Sequence, residues 1–304
     1  MNSVPSVRYS LLAVLVNAII FFSIAVTLFT YAGSSGALVG QVERVVAGPS
    51  EKRILRFGKI PNVSPREAYR IYAELMELLN ENLSCCTLEL VLAPDYPSCV
   101  QMLHEQELDL AWLGTVSYVR ARDEIPMIPL VSPIWSGRKG YSGVIFTVEG
   151  TGVTSLQQLR GKRIAFVDKE SASGYVYPLQ VLVDAGLNPS VDFARVDFLG
   201  THDAVLMAVM LGEYDAGAVF DNAYDSVADR AHRLKLRILA QTAIIPGEPI
   251  VASTHLDPAI VAEVKEAFLA LPTEQLAGSR LQDLFGFEPA ADDQYTGVKL
   301  LENP

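Results

Sequence analysis

From Ile54 onward the chain alternates short β-branched and aromatic runs with segments of helical period, and this alternation narrows its possible folds more than any other feature. The runs at 55–60, 88–92, 108–113, 127–131, 141–148, 163–167, 192–199, 215–220, 236–241 and 250–253 read as strands. The stretches 65–79, 98–106, 175–185, 203–211, 222–231 and 258–270 read as helices, the first opening on Pro65, whose fixed φ suits a first helical turn. Apolar strands separated by helices predict an α/β fold with mostly parallel sheets. So long a pattern strains a single core, so two lobes are expected. Breaks near 137–143 and 241–247 would carry the chain out of one lobe and back again. The expected division is 54–140 with 242–304 as lobe 1 and 141–241 as lobe 2, with a ligand cleft between them.

The N-terminus has a different character. Between Arg8 and Glu43 lie 34 residues without a formal charge, and the run from Leu11 to Tyr31 is almost wholly aliphatic and aromatic. That is long enough to cross a bilayer as a helix. With Arg8 before it and no charge until Glu43, the orientation rule puts the chain beyond Tyr31 outside the cytoplasm. Residues 1–32 are therefore expected to be a membrane anchor or a cleaved secretory signal, with 33–53 as linker. A net charge of −11 with no block of Lys or Arg argues against a nucleic-acid partner. Cys85, Cys86 and Cys99 lack zinc-site spacing and the four His are scattered, so neither a metal nor another cofactor is expected. In an oxidising compartment Cys99 could bridge to Cys85 or to Cys86.

Ligands of open α/β sheets bind beyond the C-terminal ends of strands, where helix N-termini offer free backbone N–H groups. Three such ends carry useful chemistry. After 163–167 comes Asp168-Lys169-Glu170-Ser171-Ala172-Ser173-Gly174, a hydroxyl-bearing turn into a helix that makes an anion cradle. After 192–199 comes Gly200-Thr201-His202, where the helix dipole disfavours an imidazolium and leaves a neutral donor. Trp112-Leu113-Gly114-Thr115 could add a donor from the opposite lobe. Tyr96, Tyr141, Asp221 and Glu248 stand at further strand ends or crossovers. Lys169 is the one cation the sequence sets at the cradle.

With these residues in view, the part from Ile54 to Asp283 resembles the phosphate/phosphite/phosphonate-binding proteins of ABC importers, within the type 2 periplasmic binding protein architecture. The strings that carry the resemblance are Ala93-Pro94-Asp95-Tyr96, Leu110-Ala111-Trp112-Leu113-Gly114, Gly140-Tyr141, Leu159-Arg160-Gly161-Lys162, Asp168 through Gly174, Gly200-Thr201-His202 and Ile245-Pro246-Gly247-Glu248-Pro249. The resemblance implies that Ser171, Ala172 and Ser173 stand in a phosphonate-binding loop, Ala172 replacing a threonine and so lacking one hydroxyl. It implies that Tyr96, Tyr141 and His202 donate around the cleft. It implies that Asp221, or Asn222 with a one-residue shift, and Glu248 occupy acidic positions that face the ammonium of aminophosphonates. Those acids favour a ligand with an amine, or else repel larger anions.

The expected activity is capture without chemistry. A small phosphorus oxyanion (phosphonate, phosphite or phosphate) is gripped by uncharged donors as the lobes close and is delivered to an ABC permease. Two other readings differ in class. An anchored binding lobe could report its ligand to a membrane sensor partner. A serine hydrolase would use Ser171 or Ser173 with His202 and Asp221, but the Gly-x-Ser-x-Gly elbow is missing.

Overall fold

The computed structural model describes residues 52–60, 62–225, 236–277, 280, 281, 283–298 and 300. The expected anchor or signal segment, and all but the last two residues of the linker, lie outside these. Among the described residues no helix is long and apolar enough to cross a membrane.

The chain runs through β1 (Arg53–Lys59), α1 (Pro65–Asn80), β2 (Cys86–Leu92), α2 (Tyr96–His104), β3 (Leu110–Trp112), α3 (Thr115–Ala121) and β4 (Met127–Trp135). It then passes through β5 (Gly140–Tyr141) to β6 (Gly143–Val148), β7 (Arg163–Phe166), α4 (Tyr177–Asp184), β8 (Arg195–Phe198), α5 (His202–Met210), β9 (Ala216–Phe220), α6 (Asp221–Asp225) and β10 (Leu236–Gln241). It returns through β11 (Ile245–Pro246) to β12 (Ile250–Ser253), α7 (Pro258–Leu269), α8 (Thr273–Ala277) and β13 (Leu284–Pro289).

These strands form a six-stranded sheet, ordered β13-β4-β12-β3-β1-β2, and a five-stranded sheet, ordered β10-β6-β9-β7-β8. The expectation of mostly parallel sheets is corrected. β1 pairs in parallel with β2 and β3, and β7 with β8 and β9. The strands flanking the crossovers, β4, β6, β10 and β12, pair antiparallel, and so does β13. The reason lies in connectivity: a strand that has just changed sheets enters without a helical crossover of its own. The two crossing segments pair with each other as a small antiparallel ribbon, with Ile245 opposite Tyr141 and Pro246 opposite Gly140. The ribbon is tight, because a Cβ on Gly140 would lie 2.6 Å from the Ile245 carbonyl oxygen.

One apolar core lies between the first sheet and α1 and α7, built from Leu55, Phe57, Leu75, Trp112, Phe268 and their neighbours. A second runs from Ile60, Tyr96 and Cys99 beside the first sheet to Phe166, Tyr175 and Leu179 beside the second, so packing is continuous between the halves. Cys86 belongs to the first core and Cys99 to the second, which places them on opposite faces of the same sheet. All three cysteines are free. The Cys86 Sγ lies 2.9 Å from that of Cys85, and neither of the two bridges open to Cys99 is present.

Candidate functional site: an interlobe cavity

A cavity of about 170 Å³ opens where the two sheets face each other. Ser173, His202, Phe220 and Asn222 line it from the side of the five-stranded sheet. Tyr72 and Trp135 do so from the other side, and Tyr141 and Glu248 from the crossovers. The halves also touch directly: the His202 N–H donates to the Asn62 carbonyl at 3.0 Å, and the Ser64 N–H to Asp203 Oδ2 at 3.0 Å.

The cradle forms because β7 ends against a turn that cannot continue as a simple helix. Ala172–Val176 is a π-helical turn and only then does α4 begin. Such wide turns recur at functional sites because they re-aim backbone groups. Ser171 caps the turn, its Oγ accepting the Gly174 N–H at 3.0 Å. Gly174 is required here: a Cβ would lie 2.4 Å from Val167 Cγ2 and 2.8 Å from Ser171 Oγ. The second hydroxyl, Ser173, is the one that lines the cavity, and its residue is 2% exposed. Ala172 is buried in the core behind it.

His202 is the first residue of α5, behind a Thr201 cap. Its Nδ1 accepts the Phe220 N–H at 3.3 Å, so the proton of a neutral ring sits on Nε2. Burial pushes its pKa down to about 3, and the cationic Lys59 nearby adds to the shift. The ring is thus neutral as expected, with burial as the leading cause.

Three phenols gather near Glu248. Tyr72, Tyr96 and Tyr141 are buried, and burial first, then the Glu248 carboxylate, raises the pKa of each. They remain protonated donors at any physiological pH. Tyr96 does not line the cavity, but its hydroxyl meets the Ser171 side chain. Thr115 donates to the Pro246 carbonyl at 3.0 Å and sits 3.5 Å from the Tyr141 hydroxyl, which it helps to hold in place.

The acids and cations differ from the sequence reading. Asp221 does not line the cavity; its Oδ2 pairs with Arg138 Nη1 at 2.9 Å, while its neighbour Asn222 does line the wall. Lys169 points away, over the Phe198 ring at 5.7 Å. The exposed Arg280 lines the cavity, and the buried cation beside it is Lys59, the last residue of β1. Its ammonium is 0% exposed, lies 3.9 Å from Glu248 Oε2, and stands 5.0 and 5.1 Å from the centroids of Tyr72 and Trp112. Burial lowers the Lys59 pKa and raises that of Glu248, and each charge opposes the shift of the other. The expectation that Lys169 is the one cation at the cradle is therefore corrected. Strand alternation held the missed signal, because Leu55, Phe57 and Lys59 share one face of β1 and the first two are core residues.

The family model for the periplasmic substrate-binding proteins of phosphonate ABC transporters matches residues 57–295. The phosphate-import protein PhnD of Mycolicibacterium smegmatis is 28% identical over 264 residues, covering 79% of this chain and 82% of the relative. The probable phosphite-binding protein PhnD1 of Prochlorococcus marinus is 23% identical over 269 residues, covering 82% of this chain and 89% of the relative. Among solved structures, a binding-protein component of an ABC phosphonate transporter from Pseudomonas aeruginosa superposes with a TM-score of 0.73 at 19% identity, covering 81% of this chain and 84% of that one. PhnD1 of Prochlorococcus marinus in complex with methylphosphonate gives a TM-score of 0.72 at 23% identity, covering 82% and 96%. These likenesses agree with a two-lobed α/β binding-protein fold. With the family model matching most of its length, the chain belongs to the periplasmic phosphonate-binding proteins that serve ABC transporters.

Proposed function

We propose that this substrate-binding component captures a small phosphorus oxyanion in the interlobe cavity. Ser173, His202 and Tyr141 act as direct donors, and Ser171, Ala172 and Tyr96 shape the cradle behind them. The observation that carries the reading is the meeting of a serine hydroxyl, a neutral imidazole and a phenol, drawn from separate elements, in one cavity of about 170 Å³. Uncharged donors at Ser173, His202 and Tyr141 match tetrahedral phosphoryl oxygens and hold them less tightly than ionic donors would, which favours release. Asn222, rather than Asp221, offers the polar group on that part of the wall. Nothing in this role needs bond making, and Ser171 Oγ is already engaged as an acceptor from Gly174.

In the same reading the lobes are 54–140 with 242–304 and 141–241, and residues 1–32 hold the protein at the outer face of the inner membrane or are removed on export. The apolar run from Leu11 to Tyr31 supports the first alternative. N-terminal sequencing of the native protein separates the two, since a mature start near Gly33 identifies a cleaved signal.

The binding claim is tested by melting residues 51–304 with phosphate, phosphite, methylphosphonate and 2-aminoethylphosphonate. At ligand about 100 times its Kd, stability rises by about 2.7 kcal/mol, a melting shift of about 5–10 °C for a protein of this size. Ser173→Ala removes the shift while leaving the ligand-free melting point nearly unchanged. An undiminished shift in that variant refutes the site.

A further inference from the structure

The geometry points to Lys59 as a specificity-determining residue that cancels the charge of Glu248 from inside the protein, so that the ligand is an oxyanion whose substituent carries no ammonium group. The inference rests on the reading that this cavity holds a phosphorus oxyanion.

A carboxylate on the wall of an anion site repels the anion unless a cation compensates it. That cation comes either from the ligand or from the protein. Here the protein supplies it. Glu248 lines the cavity, and its Oε2 has the fully buried Lys59 ammonium 3.9 Å behind it. Asp221, which does not line the cavity, pairs with Arg138 at 2.9 Å. The Lys59–Glu248 pair has no net charge whether the proton rests on nitrogen or on oxygen. The Lys59 ammonium stands over the rings of Tyr72 and Trp112 and donates to the Ile60 carbonyl at 3.3 Å. A ligand ammonium at Glu248 would bring a second cation close to Lys59 in a poorly solvated place.

The rest of the wall fits an uncharged substituent. Val63, Ile71, Trp135 and Phe220 present apolar surface, and the exposed Arg280 and Asp283 bring one charge of each sign. A hydrocarbon group therefore finds contact, while the carboxylate that an ammonium would meet beside the phenols, Glu248, already has the Lys59 ammonium next to it.

Propylphosphonate and 2-aminoethylphosphonate are isosteres that differ by a methyl in place of an ammonium, and they isolate the effect. Calorimetric titration of residues 51–304 should show the wild type binding propylphosphonate at least about tenfold more tightly than 2-aminoethylphosphonate. Lys59→Met exposes an uncompensated Glu248 and should shift the ratio at least about tenfold toward the amine. Glu248→Gln leaves Lys59 alone and should shift it the opposite way. Lys59→Met with Glu248→Gln removes both charges and should return the ratio to near the wild-type value, which also covers a single variant that fails to fold. A wild type that prefers the amine, a ratio unmoved by these changes, or binding of phosphate with neither isostere accepted overturns the role of Lys59 and leaves the oxyanion site standing. If the wild type binds none of these compounds or phosphite, the reading of the cavity itself fails, and the role of Lys59 with it.

Discussion

His202 gives the sharpest quantitative test, because its ring does two separable jobs. Nδ1 accepts the Phe220 N–H and ties α5 to the end of β9, while Nε2–H is the donor assigned to the ligand. Asn is the informative replacement: its Oδ1 sits where Nδ1 does and keeps the acceptor, but it has nothing at the Nε2 position. At neutral pH His202→Asn should therefore cost little stability. The pH profile should change. The ring's pKa falls from an ordinary 6.5 in the unfolded chain to about 3 in the fold. The unfolded state then binds the extra proton across that window, so the stability linked to a neutral His202 is complete above the unfolded value and drains away as pH falls toward the folded one. Between pH 7.5 and 4.5 about two pH units of proton uptake separate the states, which amounts to about 3 kcal/mol. Urea unfolding of both proteins at several pH values reads this as a difference, in which carboxylate titrations common to both cancel. The wild type should lose about 3 kcal/mol more than the variant over that range. Affinity for the best ligand at pH 7.5 should fall about 10- to 150-fold, the worth of one hydrogen bond to a charged group. Parallel stability curves would refute the buried neutral ring, and unchanged affinity would refute the donor.

Three further outcomes are expected. Gly143→Ala puts a Cβ 2.6 Å from the Ser173 carbonyl oxygen, so the cradle must shift; about 1–3 kcal/mol of stability should be lost by urea titration, with weaker ligand binding by calorimetry. Ser171→Ala removes the cap on the π turn and should cost about 1 kcal/mol in the same unfolding assay, with Ser173 and its hydroxyl less well positioned. Peptide mapping under non-reducing conditions should show no link from Cys99 to Cys85 or Cys86, because the sheet lies between them.

Strands and helices were legible wherever apolar periodicity was strong. The helix expected over 65–79 is found at Pro65–Asn80, and the strand expected over 250–253 is found at Ile250–Ser253. The strand Leu284–Pro289 was not legible, because a Gly at its centre and a Pro at its end suggest a loop. Strand direction was misread, since strand–helix alternation suggests parallel pairing and does not mark where a strand enters from the other sheet. At the site, the Ser/Gly turn, His202 and Tyr141 were readable because polar residues at strand ends stand out. The π turn was hidden, as it depends on how Val167 and Gly174 meet in three dimensions. Lys59 escaped notice because a lone lysine at the end of a strand reads as a solvated terminus. Only the closure of Tyr72 and Trp112 around it makes it an interior charge.

The ribbon of Gly140–Tyr141 against Ile245–Pro246 limits how the protein can move. A door hung on one flexible pin can wobble, but one hung on two pins fastened together can only swing. Backbone hydrogen bonds fasten these pins, so sliding or twisting one half past the other would break them, while bending both in concert would not. Tyr141 is itself part of a pin and also lines the cavity, so the shape of that wall and the angle of the swing are set by the same few atoms. What a permease would sense is then a single coordinate, the width of the opening.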